Sequence, residues 1–296
     1  MSKIKMKKYL DGFQQAVLVV PSVLLICVFV LYPFIMGVFY SFTNWNNTPI
    51  FNWVGFENYM RLFKDTTFVA AIKNTLLYGV AVPVLLIPVG LTFASMLNAK
   101  SLKLRGILRT MIYLPGTLAL LIVSLTFRTI LWYEGILDQI WLLLGNDKAI
   151  NIMSSAPLSQ VIVIIVIFWA GLGGNVVFFL AGLQGIPEEV NEAAMVDGAN
   201  ALQRFFRITL PMLRPTIMIV TFIAMNGALK MFDLPFLMTK GGPGTATISV
   251  AMLIYQQAFT FNTAGYATTT GIILLIVVAI LAVLQMKVTG GREDAV

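Results

Sequence analysis

There is no histidine in this chain of 296 residues, and there is a single cysteine, Cys27. Those absences exclude zinc sites of the usual Cys/His kind, an internal disulfide, and general-base chemistry by imidazole. Charge is scarce too. Asp, Glu, Lys and Arg make up 11% of the residues and hydrophobic types 58%, where a soluble domain runs near 45–50% apolar and about 25% charged. So little charge cannot cover a water-soluble globule, and the mean hydropathy of +0.87 agrees. The chain reads as an integral membrane protein. Six spans of about 22 residues would occupy about 132 positions. That leaves short loops and no room for a separate soluble domain of about 100 residues.

What is present is a set of six apolar segments: 16–42, 70–97, 110–131, 158–183, 215–238 and 265–286. Each is long enough to cross about 30 Å of hydrocarbon as a helix, so the expected fold is all-α with six transmembrane helices. The first segment starts like a signal peptide, with Lys3, Lys5, Lys7 and Lys8 before it. It is too long for one and lacks a small-residue cleavage site, so it reads as a retained helix. Cys27, inside it, reads as a small buried hydrophobe.

The net charge of +7 needs no nucleic acid to explain it. With the N-terminus inside, Lys/Arg residues number 13 in the cytoplasmic segments (residues 1–15; Lys100, Lys103, Arg105 and Arg109; Arg204, Arg207 and Arg214; Lys287 and Arg292). Outside there are four: Arg61, Lys64, Lys148 and Lys240. That asymmetry follows the positive-inside rule. It predicts a multi-pass membrane protein, with a basic N-terminus (1–15) and a tail (287–296) both cytoplasmic.

On the outside, residues 43–66 carry Trp45, Trp53, Phe56 and Tyr59 and read as an interfacial loop with aromatic anchors. The stretches 134–144 and 248–259 read as short amphipathic helices lying at the outer surface. Lys240-Gly241-Gly242-Pro243-Gly244 is a turn. Pro21, Pro33, Pro83, Pro88, Pro115 and Pro235, inside or beside spans, are expected to kink helices. No tandem repeat is visible.

One inside loop stands apart, residues 184–214. Pro187 suits the first turn of a helix, and Glu188 and Glu189 sit where the helix dipole favours negative charge. The helix formers of 190–196 follow. Asp197-Gly198 is a turn, with Gly198 free to take a positive φ, and a second short helix over 199–207 leads to Leu210-Pro211. The expectation is a two-helix elbow whose small residues, Ala193 and Ala194, admit another surface. The same composition also fits a solvated amphipathic linker.

The spacing E-A-A-x₃-G-x₉-I-x-L-P is met by Glu192, Ala193, Ala194, Gly198, Ile208, Leu210 and Pro211. It resembles the EAA loop of membrane subunits of ABC importers. Residues 53–59 (WVGFENY), Asn74-Thr75, Arg109-Thr110 with Tyr113-Leu114-Pro115, and Phe232-Asp233 with Thr239 to Pro243 are similar to the carbohydrate-uptake permeases, in particular the maltose-type first permease with a MetI-like transmembrane fold. The resemblance implies a sugar or oligosaccharide permease (16–286) that forms half of a translocation pathway and has no catalytic role. Its elbow, with Asp197 at the turn, would be the helix that couples to an ATPase. Implied partners are a second permease, two copies of an ABC ATPase, an extracytoplasmic sugar-binding protein and the lipid bilayer. Implied cofactors are none on this chain, with ATP and magnesium on the ATPase. The large outer insertion of the maltose protein is missing here.

Ionisable groups in spans are costly and are usually paired or functional. Lys73 and Arg128 lie near outer ends and read as snorkelling. Asn226, Lys230 and Asp233 form a polar stripe on the fifth segment, read either as a pathway face or as an internal pair. By resemblance, the sugar-site positions are Gly171, Gly174, Ala224, Gly227, Ala228 and Met231, with Asn175 and Asn226 beside them. These are mostly small, which implies a roomy path with selectivity resting on the external binding protein. An ABC permease for another solute class stays open. An ion-coupled secondary transporter would need midplane carboxylates and a repeat, and only Asp233 qualifies.

Overall fold

The computed structural model describes residues 17, 19–99 and 102–290, without the side chains of 289–290. Lys3, Lys5, Lys7, Lys8, Lys100 and Arg292 lie outside the described residues. The only β-structure among the described residues is one isolated bridge, Thr43 to Trp53. Everything else regular is helix. Five stretches have the length and apolarity of a membrane span: Val19–Ser41, Thr66–Asn98, Leu120–Leu143, Ala156–Gln184 and Ala264–Val288. The bent pair Ala201–Met212 and Arg214–Leu229 makes a sixth if counted as one.

The chain divides into two compact units, residues 1–64 with 254–272, and 65–253 with 273–296. In the first, helix α1 (Val19–Ser41) is followed by α2 (Glu57–Lys64). Their junction is tied by Asn58, whose buried amide donates to the carbonyls of Ser41 (2.9 Å) and Thr43 (2.8 Å). The Thr269 hydroxyl donates to the same Ser41 carbonyl at 3.0 Å. A side chain at Gly265 would strike the Thr43 carbonyl, so glycine is needed for that close approach. Cys27 is exposed, contrary to the expectation of burial. No part of the most apolar stretch of α1 is buried, so an apolar residue there lies on the surface of this chain and not in its core.

The second unit is built on α3 (Thr66–Asn98) packed along α7 (Ala156–Gln184). Asp65 caps α3 by accepting from the Thr67 and Phe68 amides, which supplies two of the otherwise unpaired first-turn donors. Pro83 and Pro88 lie inside α3, yet the helix runs unbroken for 33 residues. Helix α10 (Arg214–Leu229) packs on α3, and α4 (Arg105–Thr117) packs on α7. The core gathers Tyr78, Val82 and Leu86 of α3, Val163, Val166 and Phe179 of α7, and Val220 of α10. Small residues set the spacings. A Cβ at Gly173 would stand 2.5 Å from the Ile112 carbonyl oxygen and 2.7 Å from the Tyr113 Cα, so α4 and α7 touch backbone to backbone there.

Two expected spans are broken. Segment 110–131 is two helices, α4 and α5 (Leu120–Leu131), parted at Leu118-Ala119 just after Pro115-Gly116. Segment 215–238 is helical only to Leu229, loses the helix over Lys230–Phe232, and resumes at Asp233-Leu234, running into the π-helical turn Pro235–Thr239. Sixteen residues rise about 24 Å, short of the ~30 Å hydrocarbon core. With the helix interrupted, Asn226, Lys230 and Asp233 do not share one helix face.

The expected outer-surface helices differ in fate. Helix α6 (Ile136–Leu143) falls within the span-like stretch Leu120–Leu143 and is largely exposed, anchored by buried Asp138, which accepts from the Glu134 and Asn151 amides. The start of the stretch 248–259 is instead built into the protein, while Tyr255 and Phe259 are exposed. Its helix, α11 (Val250–Tyr255), buries Val250, Met252 and Leu253, because the loop before it is held by polar side chains of α3. The Asn74 amide donates to the Thr245 and Ile248 carbonyls (3.0 Å each), Tyr78 to Thr247 (3.1 Å), and the Thr75 hydroxyl accepts from the Val250 amide (2.9 Å). Helix α12 (Ala264–Gly290) closes the chain.

Candidate translocation cavity and elbow

Between α3, α5, α7 and α10 lies a cavity of about 230 Å³, room for about eight waters at ~30 Å³ each. Val82 and Leu86 come from α3, Leu120 from the start of α5, and Ile167, Ala170, Gly171 and Asn175 from α7. Ile223, Ala224, Gly227 and Ala228 come from α10, and Met231 and Leu234 follow its break. Both interrupted spans therefore end against this space, Leu120 marking one break and Met231 the other. Broken helices at mid-membrane are tolerated where they line a cavity.

Six of the sequence-derived pathway positions, Gly171, Asn175, Ala224, Gly227, Ala228 and Met231, come together here. Gly174 and Asn226 fall outside the lining. Asn226 sits a quarter-turn behind Gly227, and its amide folds back to the Phe222 carbonyl at 2.9 Å. Val82, Leu86, Leu120, Ile167, Ala170, Ile223 and Leu234 had no signal beyond belonging to apolar spans. The sequence marks near them are prolines: Pro83 beside Val82, Pro88 just after Leu86, Pro115 ahead of Leu120 and Pro235 beside Leu234.

The walls are apolar apart from Asn175. Its Nδ2 donates to the Gly171 carbonyl at 2.6 Å, which spends the donor side within the helix. Its Oδ1 is buried with no hydrogen-bond partner. An unpaired buried acceptor costs about 1–3 kcal/mol, so this oxygen is a standing invitation to a hydroxyl or a water.

The second site is the elbow. Pro187 ends the lead-in with extended backbone, and α8 (Glu188–Val196) opens with Glu188 and Glu189 in its first turn. The turn at Asp197-Gly198 is made by Gly198 at φ +79°, with the Asp197 amide donating to Ala193 and the Ala199 amide to Ala194. The second helix, α9 (Ala201–Met212), starts later and runs longer than the expected 199–207. Asn200 and Gln203 close its start as a capping box. Pro211 has no N–H for the bond back to Arg207, and the π-helical turn Phe205–Thr209 takes up the mismatch, carrying Ile208 and Leu210 on toward α10. The bend between α9 and α10 is 67°.

Of the two alanines expected to admit another surface, Ala194 is buried within the protein and only Ala193 is exposed with Glu192. The larger exposed apolar residues are Met195, Val196 (88% exposed), Leu202 and Phe206. Where the elbow meets the ends of α3 and α7 there is a polar groove of about 250 Å³ lined by Ser95, Asn98, Asn191, Arg204 and Thr209. The Ser95 hydroxyl is buried in it without a partner.

The description "Binding-protein-dependent transport system inner membrane component" matches residues 86–290, which include the cavity's α7 and α10 walls and the whole elbow. The chain belongs to that family. It is accordingly a multi-pass inner-membrane permease component with no catalytic role. Among its relatives, the multiple sugar-binding transport system permease protein MsmF of Streptococcus mutans is 38% identical over 92% of this chain and 93% of its own. The lactose transport system permease protein LacF of Rhizobium radiobacter is 32% identical over 99% of both. Among solved structures, a chain of a bacterial ABC transporter that imports the acidic polysaccharide alginate superposes with a TM-score of 0.85 at 24% identity. That match covers 98% of this chain and all of the other.

Proposed function

We propose that this permease is one of two membrane halves of an ATP-driven importer for a sugar or oligosaccharide. The names of MsmF and LacF support the substrate class. A structural neighbour at 25% identity belongs to an alginate transporter in complex with a substrate-bound periplasmic protein, which supports a sugar-binding protein as the donor on the outer face. The observation that carries the transport reading in this chain is the cavity. Small residues leave it open, two helix breaks border it, and Asn175 Oδ1 is its one unsatisfied side-chain acceptor. A pathway must hold its cargo weakly enough to release it, so one acceptor among apolar walls suits passage, with selection left to the binding protein.

Energy enters at the elbow. Met195, Val196, Leu202 and Phe206 present an apolar face suited to a groove on an ATPase subunit, with Glu192, Ala193, Asp197 and Gly198 around it. ATP and magnesium then belong to that subunit. Moving an inward/outward equilibrium from 1:99 to 99:1 takes about 5.5 kcal/mol of differential binding. One helix pair buries little beside a standard interface of about 1,600 Å², so two permeases, each docking an elbow on its own ATPase copy, make a sufficient machine.

The test is ATP hydrolysis by the assembly reconstituted in nanodiscs with its binding protein, sugar by sugar. Stimulation by a sugar supports the reading. Stimulation only by amino acids or ions would assign the cavity to another solute class.

A further inference from the structure

The groove between the elbow and the span ends has no part in the transport reading. Its polar side chains come from three elements. Ser95 and Asn98 stand in the last turn of α3, Asn191 in α8, and Arg204 and Thr209 on α9. All five are half-buried. The Ser95 hydroxyl is unpaired, and the other four side chains likewise have no hydrogen-bond or ion-pair partner among the described residues. Polar groups removed from water are mostly paired. Five unpaired ones around a single space of about 250 Å³ make a set of ligand contacts.

Charge selects the ligand. Arg204 is the one ionisable residue of the lining. The carboxylates of the elbow, Glu188, Glu189, Glu192 and Asp197, belong to exposed residues, and Arg207 is exposed too. A half-buried guanidinium with no carboxylate beside it favours an oxyanion, whose oxygens match its planar fork. The hydroxyls of Ser95 and Thr209 add donors, and the two asparagine amides both donate and accept. A carboxylate offers only two oxygens to this set. A phosphate monoester offers three, with a charge of about −1.5 to −2 at pH 7. The asparagines then serve hydroxyl groups, and Leu183, Ile186 and Phe205 form an apolar wall for C–H groups.

The groove is also set apart from the apolar face of α9. Leu202 and Phe206 lie about 100° round the helix from Ala201 and Phe205, which line the groove. We propose that the groove binds a polyol phosphate, with Arg204 on the phosphate and Asn98 and Asn191 on the hydroxyls. A small sugar phosphate and a glycerophosphate lipid headgroup share that chemistry. The bound ligand ties the end of α3 to both elbow helices and holds the elbow against the spans. Its effect on ATP hydrolysis rests on the elbow being the coupling element, whereas the binding does not.

The test is calorimetric titration of the purified assembly in phosphatidylcholine nanodiscs, with glucose 6-phosphate as probe and glucose as control. Glucose 6-phosphate is expected to bind and glucose is not. Arg204→Gln should weaken binding about tenfold or more, as loss of a charge-assisted hydrogen bond does, with no change in melting temperature. Arg204→Lys, which keeps the charge, should weaken it less. Phosphatidylglycerol nanodiscs separate the two sources. Unchanged affinity there supports the soluble ester, and competition supports the lipid headgroup. Hydrolysis of ATP should fall on binding in the parent and not in Arg204→Gln. Binding with an unmoved hydrolysis rate would support the site and contradict its hold on the elbow. No binding, or binding that survives Arg204→Gln undiminished, would overturn the proposal.

Discussion

Gln160 of α7 donates its side-chain amide to the Asn74 carbonyl oxygen of α3 at 2.9 Å, joining two spans 86 residues apart in sequence. Asn74 uses its other end on the Thr245 and Ile248 carbonyls, and Gln160 also donates to Ala246. One buried amide therefore fixes both spans and the 239–250 loop.

Asn74→Ala should be costly. It strands two carbonyls and one amide, with an expected loss on the order of 2 kcal/mol for the buried groups left unpaired. Gln160→Ala should cost less, because Gln160 is partly exposed and water replaces it. Thermal aggregation of the two variants in detergent gives the order, and an unaltered melting point for Asn74→Ala would remove the latch from the account.

Neighbouring glycines on α7 should behave oppositely. Gly173→Ala forces a Cβ into the Ile112 carbonyl and should destabilise by about 1–3 kcal/mol. At Gly174 the same methyl meets nothing within 4 Å, so Gly174→Ala should stay within about 0.5 kcal/mol of the parent. Equal melting of the two variants would deny the close α4–α7 contact.

Filling the cavity should stop transport without loss of assembly. Gly227 lines it, and a Cβ there has open space. Gly227→Trp should abolish uptake in membranes that retain normal amounts of the complex. Asn175→Leu, which removes the unpaired acceptor, should lower uptake more than it lowers ATP hydrolysis. Undiminished uptake in both variants would move the pathway elsewhere.

At the elbow, Val196→Glu changes a residue that is 88% exposed, so the permease should keep its melting temperature and lose its ATPase on purification. Gly198→Val acts through the backbone, because φ +79° costs an L-residue about 1–2 kcal/mol. It should weaken coupling by misdirecting α8. Retention of the ATPase by Val196→Glu would displace the docking face.

Much of this architecture was legible because membrane solvent imposes a simple grammar. A run of about 20 apolar residues must be helix, and the Asp197-Gly198 turn follows from side-chain chemistry. What stayed hidden depends on tertiary partners. Segment 215–238 reads as one apolar run, yet the helix stops at Leu229, whose side chain packs into the space left by Gly79 on α3. The 248–259 stretch looks interfacial by composition, and only Asn74, Thr75, Tyr78 and Gln160, far away in sequence, draw its start inward. Cys27 was misjudged because an apolar residue on the exposed flank of a span and one facing the core look alike in sequence.

The central claim, that this permease works as half of an ATP-driven pair, is tested most directly by purifying it gently from its native membrane and measuring what accompanies it and in what ratio. One second permease and two ATPase subunits per chain is the expected result. A chain that purifies alone and takes up solute on an ion gradient would contradict it.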